Sequence, residues 1–202
     1  MVRRISYLFF AVVIAYISYG IYSFASLRAS LSNLPKEYVL GSLDGDLTVV
    51  EFFDYGCDHC RSIHPIITEA VRRDGKIRYV PLPLMTRSGG PSTEATRLTY
   101  AAAQQGKYGA VFEELITNFR SLDDAGVTDL ALKLGLDAEK LKTDAKSPAG
   151  VKAMDKSGIM FRRAGGEFTP TFMIGSGIKY VPDTKPSVED FLRMFREARR
   201  NQ

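Results

Sequence analysis

Between Thr48 and Leu82 the apolar pattern changes period twice, and this alternation constrains the fold more than any other stretch of the chain. Thr48-Val49-Val50-Glu51-Phe52-Phe53 is a short β-branched and aromatic run of the kind that fills a buried central strand. Helical spacing takes over from about Asp58 to Arg73 and stops at Asp74-Gly75. Ile77 to Leu82 then reads as the next strand. Two strands joined by a helical crossover make a βαβ unit with a parallel pair.

The 202 residues leave room for one domain of about 150 to 170 residues and an N-terminal extra. The extra is the uncharged run Ile5 to Ala25, 21 residues that include Phe9, Phe10, Val12, Val13, Ile14 and Ile17. At about 1.5 Å per residue a helix of that length spans roughly 30 Å, the hydrocarbon thickness of a bilayer. Arg3 and Arg4 precede it, which favours an inside N-terminus and an exported remainder. A cleaved signal sequence ending at Ser23-Phe24-Ala25 competes with an uncleaved anchor. The run is longer than a signal core of about 7–15 residues, which favours the anchor. The expected layout is anchor or signal over 1–25, a tether over 26–36 and a domain over 37–202.

Within that domain Tyr38 to Gly41 reads as a short edge strand. From Pro91 to Ala164 the signals are helical: Ser92-Thr93-Glu94 opens a helix through Ala103, and Tyr108 to Phe119 forms a second. Thr128–Leu134, Asp137–Ala145 and Pro148–Arg163 give three more. Thr171 to Ile174 and Ile178 to Val181 form a hairpin across Gly175-Ser176-Gly177. Ser187 to Arg200 closes the chain as an amphipathic helix, with Val188, Phe191, Leu192 and Phe195 as its buried stripe. The order is βαβ, a helical block over about 91–164, then ββα.

The chain holds only two cysteines, Cys57 and Cys60, three positions apart at the strand-to-helix junction. A disulfide there closes too small a loop to stabilise the fold, so the pair serves redox chemistry or metal binding. The helix start leaves free N–H groups and the positive end of its dipole beside Cys57, which stabilises a thiolate. Cys60, one turn further in, is placed to resolve a mixed disulfide. A partly protonated His59 would add to that stabilisation. Asp58 opposes it: a carboxylate about 6 Å away costs roughly 0.7–3 kcal/mol at an effective dielectric of 20 to 80. A zinc site would need further ligands, for which His59 and His64 are the available candidates. The net charge of +4 is spread among acids, without the basic stripe or motif that nucleic-acid binding requires.

The segment Glu51-Phe52-Phe53-Asp54-Tyr55-Gly56-Cys57-Asp58-His59-Cys60-Arg61 resembles the active-site segment of DsbA-like thiol-disulfide oxidoreductases, in the branch with Phe-Asp-Tyr ahead of the first cysteine. Pro65, Gln105-Gly106-Lys107, Gly135-Leu136-Asp137 and Thr169-Pro170-Thr171-Phe172 continue the likeness across roughly residues 37 to 200. The resemblance implies an α/β thioredoxin-like fold with a helical insertion, which the apolar run 5–25 precedes as one transmembrane helix. It makes Cys57 the nucleophile, Cys60 the resolving thiol and Pro170 a cis-proline facing them, with Thr169 offering backbone contacts to substrate. Glu51 falls where the family carries an acid beneath the active site and would relay a proton to Cys60. A solvent-facing position for Glu51 remains open. Phe168 stands where the branch has glycine, so the substrate groove gains an apolar side chain. The implied function is a dithiol oxidase on the periplasmic face of a bacterial inner membrane. Its substrates would be exported cysteine-containing proteins and its reoxidant a DsbB-like membrane partner, with no bound cofactor or metal. A reductase or isomerase fed by a DsbD-like protein, and a metal-handling or peptide-binding chaperone, are the alternatives.

Overall fold

The structure is a computed structural model that describes residues 2–85, 90–175 and 177–201. The chain divides into two compact units, Met1–Asn33 and Leu34–Gln202. The first is a single helix, α1 (Val2–Ser32). Among the described residues it is the one helix long and apolar enough to cross a membrane, over Val12–Ser32 with a mean hydropathy of 1.3.

That helix runs on into the expected tether over 26–36. Ser26 to Ser32 continue α1 without a break, because no glycine or proline interrupts them before Asn33. Ser30 satisfies its hydroxyl by donating to the Ser26 carbonyl at 2.8 Å, so its polarity does not break the helix. α1 ends at Ser32, and a 3-10 turn follows at Lys36–Tyr38.

The second unit is built on a five-stranded sheet in the order β1-β3-β2-β4-β5. Its strands are β1 (Leu40–Gly41), β2 (Leu47–Phe53), β3 (Ile77–Pro83), β4 (Thr171–Ile174) and β5 (Ile178–Tyr180). β2 and β3 run parallel, with Leu47 opposite Ile77 and Phe53 opposite Pro83; the other pairs are antiparallel. The crossover between β2 and β3 is α2 (Asp58–Asp74), closed by Gly75 at φ 73°, a left-handed conformation that glycine adopts without steric cost. The expected edge strand at Tyr38–Gly41 shortens to β1, since Tyr38 ends the 3-10 turn and stacks on Tyr108.

The helical block comprises α3 (Pro91–Ala102), α4 (Tyr108–Thr117), α5 (Asp124–Leu134), α6 (Ala138–Ala145) and α7 (Pro148–Arg163). α5 starts four residues before the expected Thr128, because the Asp123 carboxylate accepts the Gly126 N–H at 2.8 Å and caps it there. The chain ends in α8 (Val188–Arg200), whose Ser187 and Asp190 form a reciprocal capping box. The expected β4–β5 turn includes Ser176, which lies outside the described residues.

Two of the apolar clusters join the sheet to its helices. In one, α2 and α8 close on the sheet through Ile63, Ile67, Val49, Tyr79, Phe191 and Phe195. In the other, the helical block closes over Phe53, Tyr55 and Cys60 with Leu98, Val111, Phe112 and Leu130. Cys60 therefore sits where the crossover helix meets the insertion. This is the thioredoxin-like arrangement that the sequence order implies. Truncating the fully buried Phe191 removes a ring that meets Phe172, Tyr180 and Phe195. Phe191→Ala is expected to cost about 3–5 kcal/mol in denaturant unfolding, whereas Arg193→Ala on the exposed face changes stability by under about 0.5 kcal/mol.

Candidate active site

β2 delivers the chain to the site and a tight turn aims it. After Phe53, the Asp54 carbonyl accepts the Cys57 N–H at 3.0 Å. The Asp54 carboxylate accepts the Gly56 N–H at 2.8 Å and the Ser92 hydroxyl. Tyr55 is buried and bonded to Thr99 at 2.6 Å. The turn is thus anchored to α3 before α2 begins.

Cys57 is the N-cap of α2. Its sulfur, partly exposed, accepts the Cys60 N–H at 3.2 Å, where a capping oxygen would sit in other helices. The Thr169 carbonyl lies 3.5 Å away and accepts from the thiol. The Cys57 thiol is lowered to about 6, first by the hydrogen bond from the Cys60 side chain, against some cost of burial, then by the Cys60 N–H, Thr169 and the His59 N–H. Cys60 is its opposite: fully buried, its thiol is pushed far up by desolvation and by the bond it gives to Cys57. The two sulfurs are chemically unequal although three residues apart.

The neighbours differ from the sequence expectation in two places. The His59 Nε2–H donates to the Pro182 carbonyl at 3.0 Å, and His59 acts on Cys57 through its backbone N–H. Asp58 points into solvent and pairs with Arg61. Arg61 also donates to the Tyr55 carbonyl at 2.8 Å and lies over the Phe119 ring. A guanidinium beside the carboxylate offsets much of the charge weighed against the thiolate. Arg61 could have been anticipated from the i, i+3 spacing of opposite charges.

Glu51 is 2% exposed, which excludes the solvent-facing alternative. It accepts the Tyr79 hydroxyl, and burial raises its carboxyl to about 7, against the lowering effects of Tyr79 and of His64. Opposite the cysteines, Thr169–Pro170 is a cis bond at the start of β4, and Phe168 is 69% exposed beside it. Among the described residues no three His, Cys, Asp or Glu side chains converge as metal ligands. The His64 ring binds Glu113 at 2.8 Å, a contact between α2 and α4 that sequence spacing does not reveal.

A thioredoxin family model matches residues 33–194. The chain belongs to the thioredoxin family. A thioredoxin-like oxidoreductase from Silicibacter pomeroyi DSS-3 is 31% identical, with a TM-score of 0.75 over 87% of this chain and 98% of that one. With the Cys57/Cys60 geometry, this makes the protein a thioredoxin-like oxidoreductase. Two further structures share the fold: the thiol-disulfide exchange protein alpha-DsbA2 from Wolbachia pipientis (21% identical, 86% of this chain and 96% of that one, TM-score 0.68) and the catalytic domain of ScsC from Proteus mirabilis (20%, 87% and 96%, 0.71). Among curated proteins, a Na+/H+ antiporter NhaA from Herminiimonas arsenicoxydans is 29% identical over 139 residues, 68% of this chain. The chain spans about a fifth of that protein's length, 22%.

Two measurements check the electrostatics of this oxidoreductase. In the reduced protein the thiolate ultraviolet absorbance titrates with a midpoint near 6. Cys60→Ala moves that midpoint upward by removing the strongest stabilising bond to the sulfur. Glu51 has a folded value raised from 4.5 to about 7, so its contribution to stability is complete below 4.5 and is lost as pH rises through 7. Between about pH 4.5 and about pH 8, the wild type should therefore lose about 3 kcal/mol more unfolding free energy than Glu51→Gln.

Proposed function

We propose that this protein is a membrane-tethered dithiol oxidase that passes the Cys57–Cys60 disulfide to exported cysteine-containing proteins. The observation that carries the reading is the Cys57 sulfur at the N-cap of α2, accepting the Cys60 N–H at 3.2 Å, with its thiol lowered to about 6. A stabilised thiolate stabilises the reduced enzyme, and a stable reduced form makes the disulfide an oxidant.

The reaction follows from the inequality of the sulfurs. A substrate thiolate attacks Cys57 in the disulfide, the Cys57–Cys60 bond breaks, and Cys60 leaves as a thiolate. Buried Cys60 holds a negative charge poorly, so it takes a proton, a role for which buried Glu51 is the proposed donor. A second substrate thiolate then attacks the substrate sulfur of the mixed disulfide and expels Cys57 as its thiolate. The substrate leaves oxidised by two electrons and the enzyme pair reduced. A DsbB-like membrane partner would take those electrons. Thr169 and the cis-Pro170 would align the substrate backbone, and exposed Phe168 would favour apolar residues next to the reacting cysteine.

Tethering is supported by α1, where Val12, Ile14, Tyr16, Ile17, Tyr19, Ile21 and Tyr22 present an apolar surface. Arg3 and Arg4 before the span favour a cytoplasmic N-terminus and a catalytic unit on the periplasmic side of a bacterial inner membrane. The alternative direction, reduction or isomerisation with a DsbD-like donor, has one supporting observation. Glu51 at about 7 can also accept the Cys60 proton, activating it to resolve a mixed disulfide.

Acid-quenched alkylation of cells distinguishes the two. The oxidase reading expects Cys57 and Cys60 mostly as a disulfide at steady state, and Cys60→Ala expects trapped mixed disulfides with exported proteins. A mostly reduced pair would reverse the direction assigned here.

A further inference from the structure

The turn that carries the two cysteines is held at several points. Arg61 donates to the Tyr55 carbonyl at 2.8 Å and fixes the approach from β2. The Ser62 hydroxyl donates to the His59 carbonyl at 2.8 Å, within the first turn of α2. A further hold comes from far along the chain: the His59 Nε2–H donates to the Pro182 carbonyl at 3.0 Å, across 123 residues. Pro182 follows β5 by two residues and is buried, as is Pro186 just ahead of the Ser187 cap of α8. Their rings fix φ at both ends of this connection, which keeps the Pro182 carbonyl in place as an acceptor. α2 and α8 share one apolar cluster through Ile63, Ile67, Phe191 and Phe195. The His59 bond therefore adds a polar tie at the reactive end of α2.

A carbonyl only accepts, so the Nε2 that faces Pro182 must carry a proton. The neutral Nε2–H tautomer and the imidazolium both meet that condition, and the bond survives a change in the charge of the ring. His59 also supplies its backbone N–H to the Cys57 sulfur, beside the Cys60 N–H that the sulfur accepts at 3.2 Å. Both N–H groups lie in the first turn of α2, where the helix has no partner for them. Hydrogen bonds weaken steeply as their angle departs from linear, so the aim of these donors decides how well they stabilise a thiolate. Holding the His59 side chain holds the peptide units on either side of it, and one of those carries the Cys60 N–H.

We propose that His59 is a positioning residue: by tying the Cys57–Cys60 turn to Pro182, its ring aims the backbone N–H groups of His59 and Cys60 at the Cys57 sulfur. What the role requires is a hydrogen-bond donor at the Nε2 position, and the charge of the ring is not needed for it. The other ionisable side chains of the turn are Asp58, exposed and paired with Arg61, and the buried Cys60. This rests on Cys57 and Cys60 being the redox pair of the proposed oxidase, and it holds equally if electrons run in the opposite direction.

The test titrates the Cys57 thiolate absorbance of the reduced full chain in detergent, where the wild-type midpoint is near 6. The side-chain nitrogen of glutamine falls close to the Nε2 position of histidine, and that of asparagine close to Nδ1. His59→Gln therefore keeps the tie without a titratable ring, while His59→Asn and His59→Ala break it. The midpoint is expected to stay within about 0.3 pH units of the wild type in His59→Gln and to rise by about one unit in the other two. A glutamine variant that rises as far as the alanine variant assigns the effect to ring charge and overturns the proposal. An alanine variant that does not move, or an asparagine variant that matches the glutamine one, overturns it as well. A readout without substitution is nitrogen nuclear magnetic resonance of the histidine-labelled wild type at about pH 8, where His59 is neutral. The Nε2–H tautomer is expected there, and the Nδ1–H tautomer overturns the tie whether or not the variants fold. Oxidation of a reduced dithiol peptide by the wild type is measured alongside. Its absence counts against the oxidase reading and leaves the titration and tautomer results standing.

Discussion

A cysteine sulfur occupies the capping position of α2, and the rest of the site depends on that placement. The first N–H groups of a helix have no partner within it, and here the Cys57 sulfur accepts one of them. The arrangement satisfies a structural need of the helix and lowers the thiol by the same contact. It requires that the chain arrive from β2 in a fixed orientation. The Asp54 turn, the Tyr55–Thr99 bond and the Arg61 contact to the Tyr55 carbonyl all hold that approach. From the other side, β4 brings Thr169 and Pro170 up to the same sulfur. The sheet order makes this meeting unavoidable, since β4 lies directly beside β2.

The second dependence is on the inserted helices. Their apolar side chains bury Cys60, and burial pushes its thiol up while its neighbour's goes down. The insertion therefore creates the chemical difference between two residues of the same type. α4 also contributes Glu113, which reaches back to His64 on α2. The Glu51 carboxyl is held in this dry interior, where burial raises it to about 7.

Much of the fold was legible because its elements carry strong periodicity. The β2–α2–β3 unit, the five helices of the insertion and α8 fall close to their expected positions. The differences arise where side-chain contacts override local pattern. Asp123 starts α5 early by capping it. The stacking of Tyr38 on Tyr108 accompanies the 3-10 turn that replaces the first part of a strand. The serines of 26–32 resembled a linker by composition, yet Ser30 bonds to its own helix and α1 continues.

The sequence alone determined that a CxxC pair would stand at a strand-to-helix junction, with a proline-bearing strand later in the chain and an apolar helix before them. Those are consequences of spacing and period, which are local. Only the tertiary structure decided the charges that act at the site. It turned the His59 ring to Pro182, set Arg61 against Asp58, buried Glu51 under α2 and brought Glu113 to His64. Electrostatic effects depend on distance and on the exclusion of water. Both are fixed by elements far apart in the chain, such as β2, α2 and α4, packing together.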